Sequence, residues 1–77
     1  MKEIAKRLKV VRIKSLLSQA KFAKKLELHQ SAYFRYENGT TKLNINILIK
    51  LREVFKVDLN WLLAGDESEK VYGKILN

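Results

Sequence analysis

The sequence predicts an all-α fold of five short helices, and three observations support that prediction. The 77 residues contain no proline and only three glycines, so few positions oppose helix formation. Apolar residues recur at helical spacing, and the alternation typical of strands is scarce. Residues that cap helices well, Ser18, Asn44 and Asp58, stand directly before apolar segments.

The first two helices are predicted over residues 2–15 and 19–26. In the first helix, apolar residues at i, i+4 and i+7 mark one buried face, formed by Ile4, Leu8 and Val11. Ser18 is expected to cap the second helix, because its hydroxyl can accept a hydrogen bond from a free N–H of the first turn. The second helix is expected to bury Phe22, Ala23 and Leu26.

A third helix is predicted from Gln30 to Asn38, with Gly39 as its left-handed terminator. The fourth is predicted over residues 45–56 behind the Asn44 cap. Asp58 is expected to cap a fifth helix that carries Trp61 and three leucines, Leu59, Leu62 and Leu63. A chain of 77 residues is expected to form a single domain.

Charge is distributed unevenly along the chain. The sequence holds 16 Lys+Arg and 8 Asp+Glu, a net charge of +8. Residues 1–56 carry net +10 and residues 57–77 carry net −2. This asymmetry favours a polyanionic partner for the body of the chain.

Composition also excludes several classes of protein. Without cysteine there is no disulfide framework or thiolate metal site, and the single histidine, His29, cannot build a metal site alone. No secretory segment and no run of about 18 apolar residues is visible, so we expect a cytoplasmic location. There is no cysteine nucleophile, His–carboxylate pair or Gly-rich phosphate loop, so we expect neither an enzyme nor a cofactor.

The predicted third helix has two chemically different faces. At 100° per residue, one side carries Gln30, Ser31, Phe34, Arg35 and Asn38, and the opposite side carries Ala32, Tyr33, Tyr36 and Glu37. Gln, Arg and Ser are side chains that read base edges in the major groove, and an exposed Phe can meet a thymine methyl group. A buried glutamate on the other face requires a cationic partner.

These residues resemble the Cro and phage-repressor (Xre-like) helix-turn-helix family over roughly residues 4–64. The similarity lies in LSQAKFAKKL, in Tyr33-x-x-Tyr36-Glu37-Asn38-Gly39 and in VDLNWLLAG, in that order. The resemblance implies a compact five-helix bundle of the lambda-repressor-like DNA-binding type. In this fold the helix-turn-helix is formed by helices 2 and 3, and helix 3 enters the major groove.

The resemblance also implies roles for individual residues. Bases would be contacted by Gln30, Ser31 and Arg35, and phosphates by Gln19, Asn38, Thr40, Thr41 and Lys42. Phe34, on the same face, is expected to be the fourth residue that contacts bases. Arg12 would form an ion pair with Glu37. The chain departs from the family pattern at Glu27, which replaces a common glycine and is expected in a left-handed conformation, and at Tyr33 and Leu43.

The sequence therefore predicts a DNA-binding domain over residues 1–65, and a polar break with a short tail over residues 66–77. The expected function is sequence-specific binding of double-stranded DNA by a transcriptional regulator, a repressor that acts by occupying an operator. We expect a homodimer, whose candidate interface is Trp61, Leu63, Val71, Tyr72, Ile75 and Leu76. The alternatives are an antitoxin that binds a toxin partner and represses its own operon, and a basic peptide on anionic membranes.

Overall fold

The computed structural model describes residues 2–65, and these residues form five α-helices. They are α1 (Lys2–Lys14), α2 (Gln19–Lys25), α3 (Gln30–Glu37), α4 (Ile45–Phe55) and α5 (Leu59–Ala64). The prediction of an all-α fold is confirmed, with helix boundaries within one or two residues of those expected. The region predicted as a tail, residues 66–77, lies outside the described residues.

Three of the helix starts are fixed by the predicted caps. The Ser18 hydroxyl accepts from the Lys21 N–H at 3.2 Å, and Asn44 Oδ1 accepts from the Ile47 N–H at 2.9 Å. Asp58 accepts from two backbone N–H groups at the start of α5. His29 holds the same position before α3, but its side chain makes no capping hydrogen bond.

The core is a cluster of apolar side chains contributed by every helix. Tyr33, Phe22, Leu8, Leu26, Leu51 and Leu62 are its largest fully buried members. Phe22 lies at its centre, because its ring stacks on Phe55 with centroids 4.2 Å apart and meets Tyr33 at 5.1 Å. Phe22 therefore links α2 to α3 through Tyr33 and to α4 through Phe55.

A side-chain hydrogen bond joins α1 to α5. Arg7 Nε donates to the Leu62 carbonyl oxygen at 2.7 Å, at the C-terminal end of α5. Gly65 follows with φ +77°, and a Cβ atom there would lie 3.0 Å from the Arg7 guanidinium. Glycine is thus favoured by its backbone angle and by the close approach of Arg7. None of the helices within residues 2–65 is long and apolar enough to cross a bilayer.

Candidate nucleic-acid interface

The turn between α2 and α3 sets the angle at which α3 is presented. Glu27 has φ +59°, so the left-handed conformation expected from the departure at this position is present. Lys50 of α4 supports the turn: its Nζ atom donates to the Leu26 carbonyl oxygen at 3.2 Å and lies 3.4 Å from Glu27 Oε1. This support could not be predicted from sequence, since Lys50 and Leu26 lie 24 positions apart.

The outward face of α3 carries all four residues predicted to face DNA bases. Gln30, Ser31 and Arg35 are exposed, and Phe34 is 50% exposed. Among the described residues, no side-chain hydrogen bond or ion pair engages Gln30, Ser31 or Arg35. None of their donors or acceptors is occupied within residues 2–65, so they are available to an external partner.

The inward face of α3 holds a buried glutamate in the ion pair implied by the resemblance. Arg12 Nε donates to Glu37 Oε2 at 2.8 Å, and Arg12 Nη2 donates to Oε1 at 3.0 Å. The remaining guanidinium nitrogen of Arg12 donates to the Leu17 carbonyl oxygen at 3.1 Å. A bidentate pair of this kind is both strong and orienting. It joins α1, the α1–α2 turn and α3.

Ionisation of this junction follows from its surroundings. Burial alone would raise the pKa of Glu37, but the hydrogen bonds from Arg12 and Gln19 and the nearby Tyr33 hydroxyl outweigh it, so the pKa lies below its usual range. The same bond raises the pKa of Arg12. Burial raises the pKa of Tyr33 well above its ordinary value, and its hydroxyl forms no hydrogen bond within residues 2–65. Glu37 is therefore a carboxylate in the folded protein at neutral pH.

Gln19 lies beside the junction, at the first residue of α2. Its Nε2 atom donates to Glu37 Oε1 at 3.2 Å, so the residue predicted as a phosphate contact is also held by α3. One N–H of the same amide remains for another acceptor. Glu37 thus holds the Gln19 side chain in place through this hydrogen bond, a contact that was not predicted from sequence.

The loop after α3 carries the other predicted phosphate contacts. Backbone N–H groups of Thr40 and Thr41 donate to the Arg35 carbonyl oxygen at 3.0 and 3.2 Å, so the loop folds back on the end of α3. Asn38 Oδ1 accepts from the Thr40 N–H at 2.9 Å and from its hydroxyl. Lys42 is exposed beyond them. The loop and the outward face of α3 are therefore adjacent.

A groove of about 220 Å³ connects these elements and adds a residue that was not among the predicted contacts. It is lined by Lys9, Gln19, Phe34, Glu37 and Asn38. Lys9 of α1 is exposed and has no acidic partner among the described residues. Sequence analysis did not single out Lys9, because no pattern within α1 distinguishes it from the other lysines of the chain.

The predicted dimer contacts fall in two groups. Trp61 packs partly buried against the core, and Leu63 is 43% exposed. The other members of the predicted interface, Val71, Tyr72, Ile75 and Leu76, lie outside the described residues. Within residues 2–65, no cluster of three His, Asp or Glu side chains could hold a metal ion.

The chain is similar in sequence to known helix-turn-helix proteins. The family model described as helix-turn-helix matches residues 8–62. A relative from Bacillus subtilis (strain 168), named as the uncharacterized HTH-type transcriptional regulator YqaE, is 35% identical over 74 residues, which cover 91% of this chain. The chain spans 64% of the length of that relative. No solved structure gives a significant match. The chain belongs to the helix-turn-helix family of the Cro and phage-repressor type.

Proposed function

We propose that this protein is a sequence-specific regulator of transcription that binds double-stranded DNA through the outward face of α3. The observation that carries the proposal is that Gln30, Ser31 and Arg35 are exposed side by side with no partner among the described residues. The name of the Bacillus subtilis relative, an HTH-type transcriptional regulator, supports the regulatory role. The proposal assigns the protein no catalytic activity.

The side chains on this face suit base recognition. In the major groove, Arg binds the O6 and N7 atoms of guanine with two hydrogen bonds, and Gln binds the N6 and N7 groups of adenine in the same way. Ser can serve either kind of base. Arg35 and Gln30 would therefore provide most of the sequence preference, with Ser31 between them.

Affinity would come mainly from the surrounding basic surface. Residues 1–56 carry net +10, and each phosphate neutralised by a lysine or arginine releases condensed counterions from the DNA. Gln19 at the start of α2, and Asn38, Thr40, Thr41 and Lys42 after α3, would hold the backbone on both sides of α3. Such contacts fix the register of α3 without reading sequence.

Repression would follow from occupancy of an operator by two copies. Helix-turn-helix regulators commonly bind half-sites one helical turn apart as two-fold dimers. Trp61 and Leu63 of α5 are the described part of the proposed interface, which would continue into residues 71–76. A repressor bound in this way excludes polymerase sterically.

The proposal is tested by selecting binding sites from random DNA duplexes with the purified protein at about 150 mM salt. We expect an enriched inverted repeat, whose spacing would give the dimer geometry. Binding that fades with salt and enriches no sequence would contradict the proposal. It would turn attention to a protein partner, such as the toxin of the antitoxin alternative.

A further inference from the structure

Phe34 is the one residue of the outward face of α3 that cannot form hydrogen bonds with a base. Half of its surface is exposed, although burying an aromatic side chain is strongly favourable. The core already holds Phe22 in contact with both Tyr33 and Phe55, and Phe34 is not part of it. The exposed half of the ring is available to an apolar group of a ligand that docks on this face.

The position of Phe34 along α3 restricts what that partner can be. Gln30, Phe34 and Asn38 lie at i, i+4 and i+8, on one line along the helix. Gln30 at the N-terminal end is placed to meet base edges, and Asn38 at the other end is placed to meet the backbone. Phe34 also lines the groove with Gln19 and Lys9. In the proposed complex the ring would therefore lie between the bases and the phosphates of one strand.

The C5-methyl group of thymine is the apolar group that DNA presents in this region. It is exposed in the major groove, and aromatic side chains are among its usual partners. We infer that Phe34 is a specificity-determining residue that reads this methyl group and so requires thymine at one position of each half-site. The inference rests on the proposed function and names one chemical feature of its ligand.

Removing that methyl group alone tests the inference. Each thymine of the selected site is replaced in turn by deoxyuridine, which keeps every hydrogen-bonding group of the base. At one position per half-site, wild-type protein is expected to bind the uracil duplex about fourfold more weakly. This is the loss expected when the burial of one methyl group is removed. The Phe34→Ala variant should bind the thymine and uracil duplexes equally well at that position.

Ile13→Ala is the matched control variant. Ile13 is 54% exposed, similar to Phe34, but it lies on α1 and outside the groove. It should keep the full sensitivity to uracil, and circular dichroism should show that both variants remain folded. Because Phe34 lies outside the buried core, the Phe34→Ala variant is expected to fold normally.

The possible failures are distinguishable. If selection enriches no sequence, the proposed function fails and this inference falls with it. If a site is enriched but no uracil substitution weakens wild-type binding, only the inference is overturned, and Phe34 contacts sugar or no DNA at all. If Phe34→Ala retains the loss at uracil, another residue reads the methyl group and the inference is also overturned.

Discussion

The two faces of α3 show how one short helix separates stability from recognition. The inward face packs against the rest of the protein: Glu37 accepts hydrogen bonds from Arg12 and Gln19, and Tyr33 packs on Phe22. The outward face is exposed, and the side chains of Gln30, Ser31 and Arg35 have no hydrogen-bond or ion-pair partner within residues 2–65. A substitution on the inward face should therefore change the free energy of unfolding. One on the outward face should change DNA binding alone.

The largest effect is expected from Arg12→Ala. This change leaves Glu37 buried without its cation, which typically costs about 3–5 kcal/mol of unfolding free energy. Urea denaturation of the variant measures that loss. Arg52→Ala, which truncates an exposed arginine of α4, is the control and should change stability by less than about 0.5 kcal/mol. Equal small losses in both variants would mean that the buried pair does not stabilise the fold.

Arg35→Ala should have the opposite profile. We expect a loss of about 1–3 kcal/mol in binding to the selected site, because a bidentate contact with guanine is removed, while non-specific binding and stability change little. Titration of specific and random duplexes measures both affinities. Lys24→Ala removes the same charge from α2 and should leave base preference unaltered. An equal loss on every sequence after Arg35→Ala would identify Arg35 as a phosphate contact.

The pH dependence of unfolding should come partly from Glu37. Its folded-state pKa lies below the ordinary 4.5, so between those two values the unfolded chain binds more protons than the native state. The stability that Glu37 contributes is therefore complete above the ordinary pKa. It is lost as pH falls through the folded-state pKa.

Urea denaturation between about pH 3 and pH 6 measures this dependence. Glu37→Gln should be less stable at neutral pH and should show a smaller further loss on acidification than wild type. Parallel pH profiles for the two proteins would show that Glu37 is not the group responsible.

The smallest effect is expected from Lys42→Ala. Loss of one phosphate contact should weaken binding to all sequences alike and reduce the slope of log affinity against log salt by about one unit. Affinity measured over a range of salt concentrations gives that slope. Lys14→Ala, at the end of α1, is the control for a lysine outside the loop. A change in base preference after Lys42→Ala would place this side chain at a base instead.

The helices could be predicted from sequence because their determinants are local. Ser18, Asn44 and Asp58 cap the helices that they were expected to cap, and Gly39 has φ +83° after α3. Leu16 and Lys56 are also left-handed, at φ +59° and +57°. Leucine and lysine do not favour that conformation, so neither position could be predicted from residue type.

The site could be predicted only in part. Helical periodicity alone separated the two faces of α3, and the family resemblance supplied the pairing of Arg12 with Glu37. The bond from Gln19 to Glu37 and the support of the Leu26 carbonyl by Lys50 join residues 18 and 24 positions apart. No pattern within a single helix predicts such contacts, since they depend on how the helices pack.

Separation of the two faces is tested most directly with one variant that carries Gln30→Ala, Ser31→Ala and Arg35→Ala. The decisive quantity is the ratio of affinities for the selected site and for random DNA, measured beside the free energy of unfolding. We predict that the ratio falls close to one, while the free energy of unfolding changes by no more than about 1 kcal/mol, as expected for exposed positions. A ratio that stays at the wild-type value in a folded variant would contradict the assignment of this face as the reader of DNA sequence.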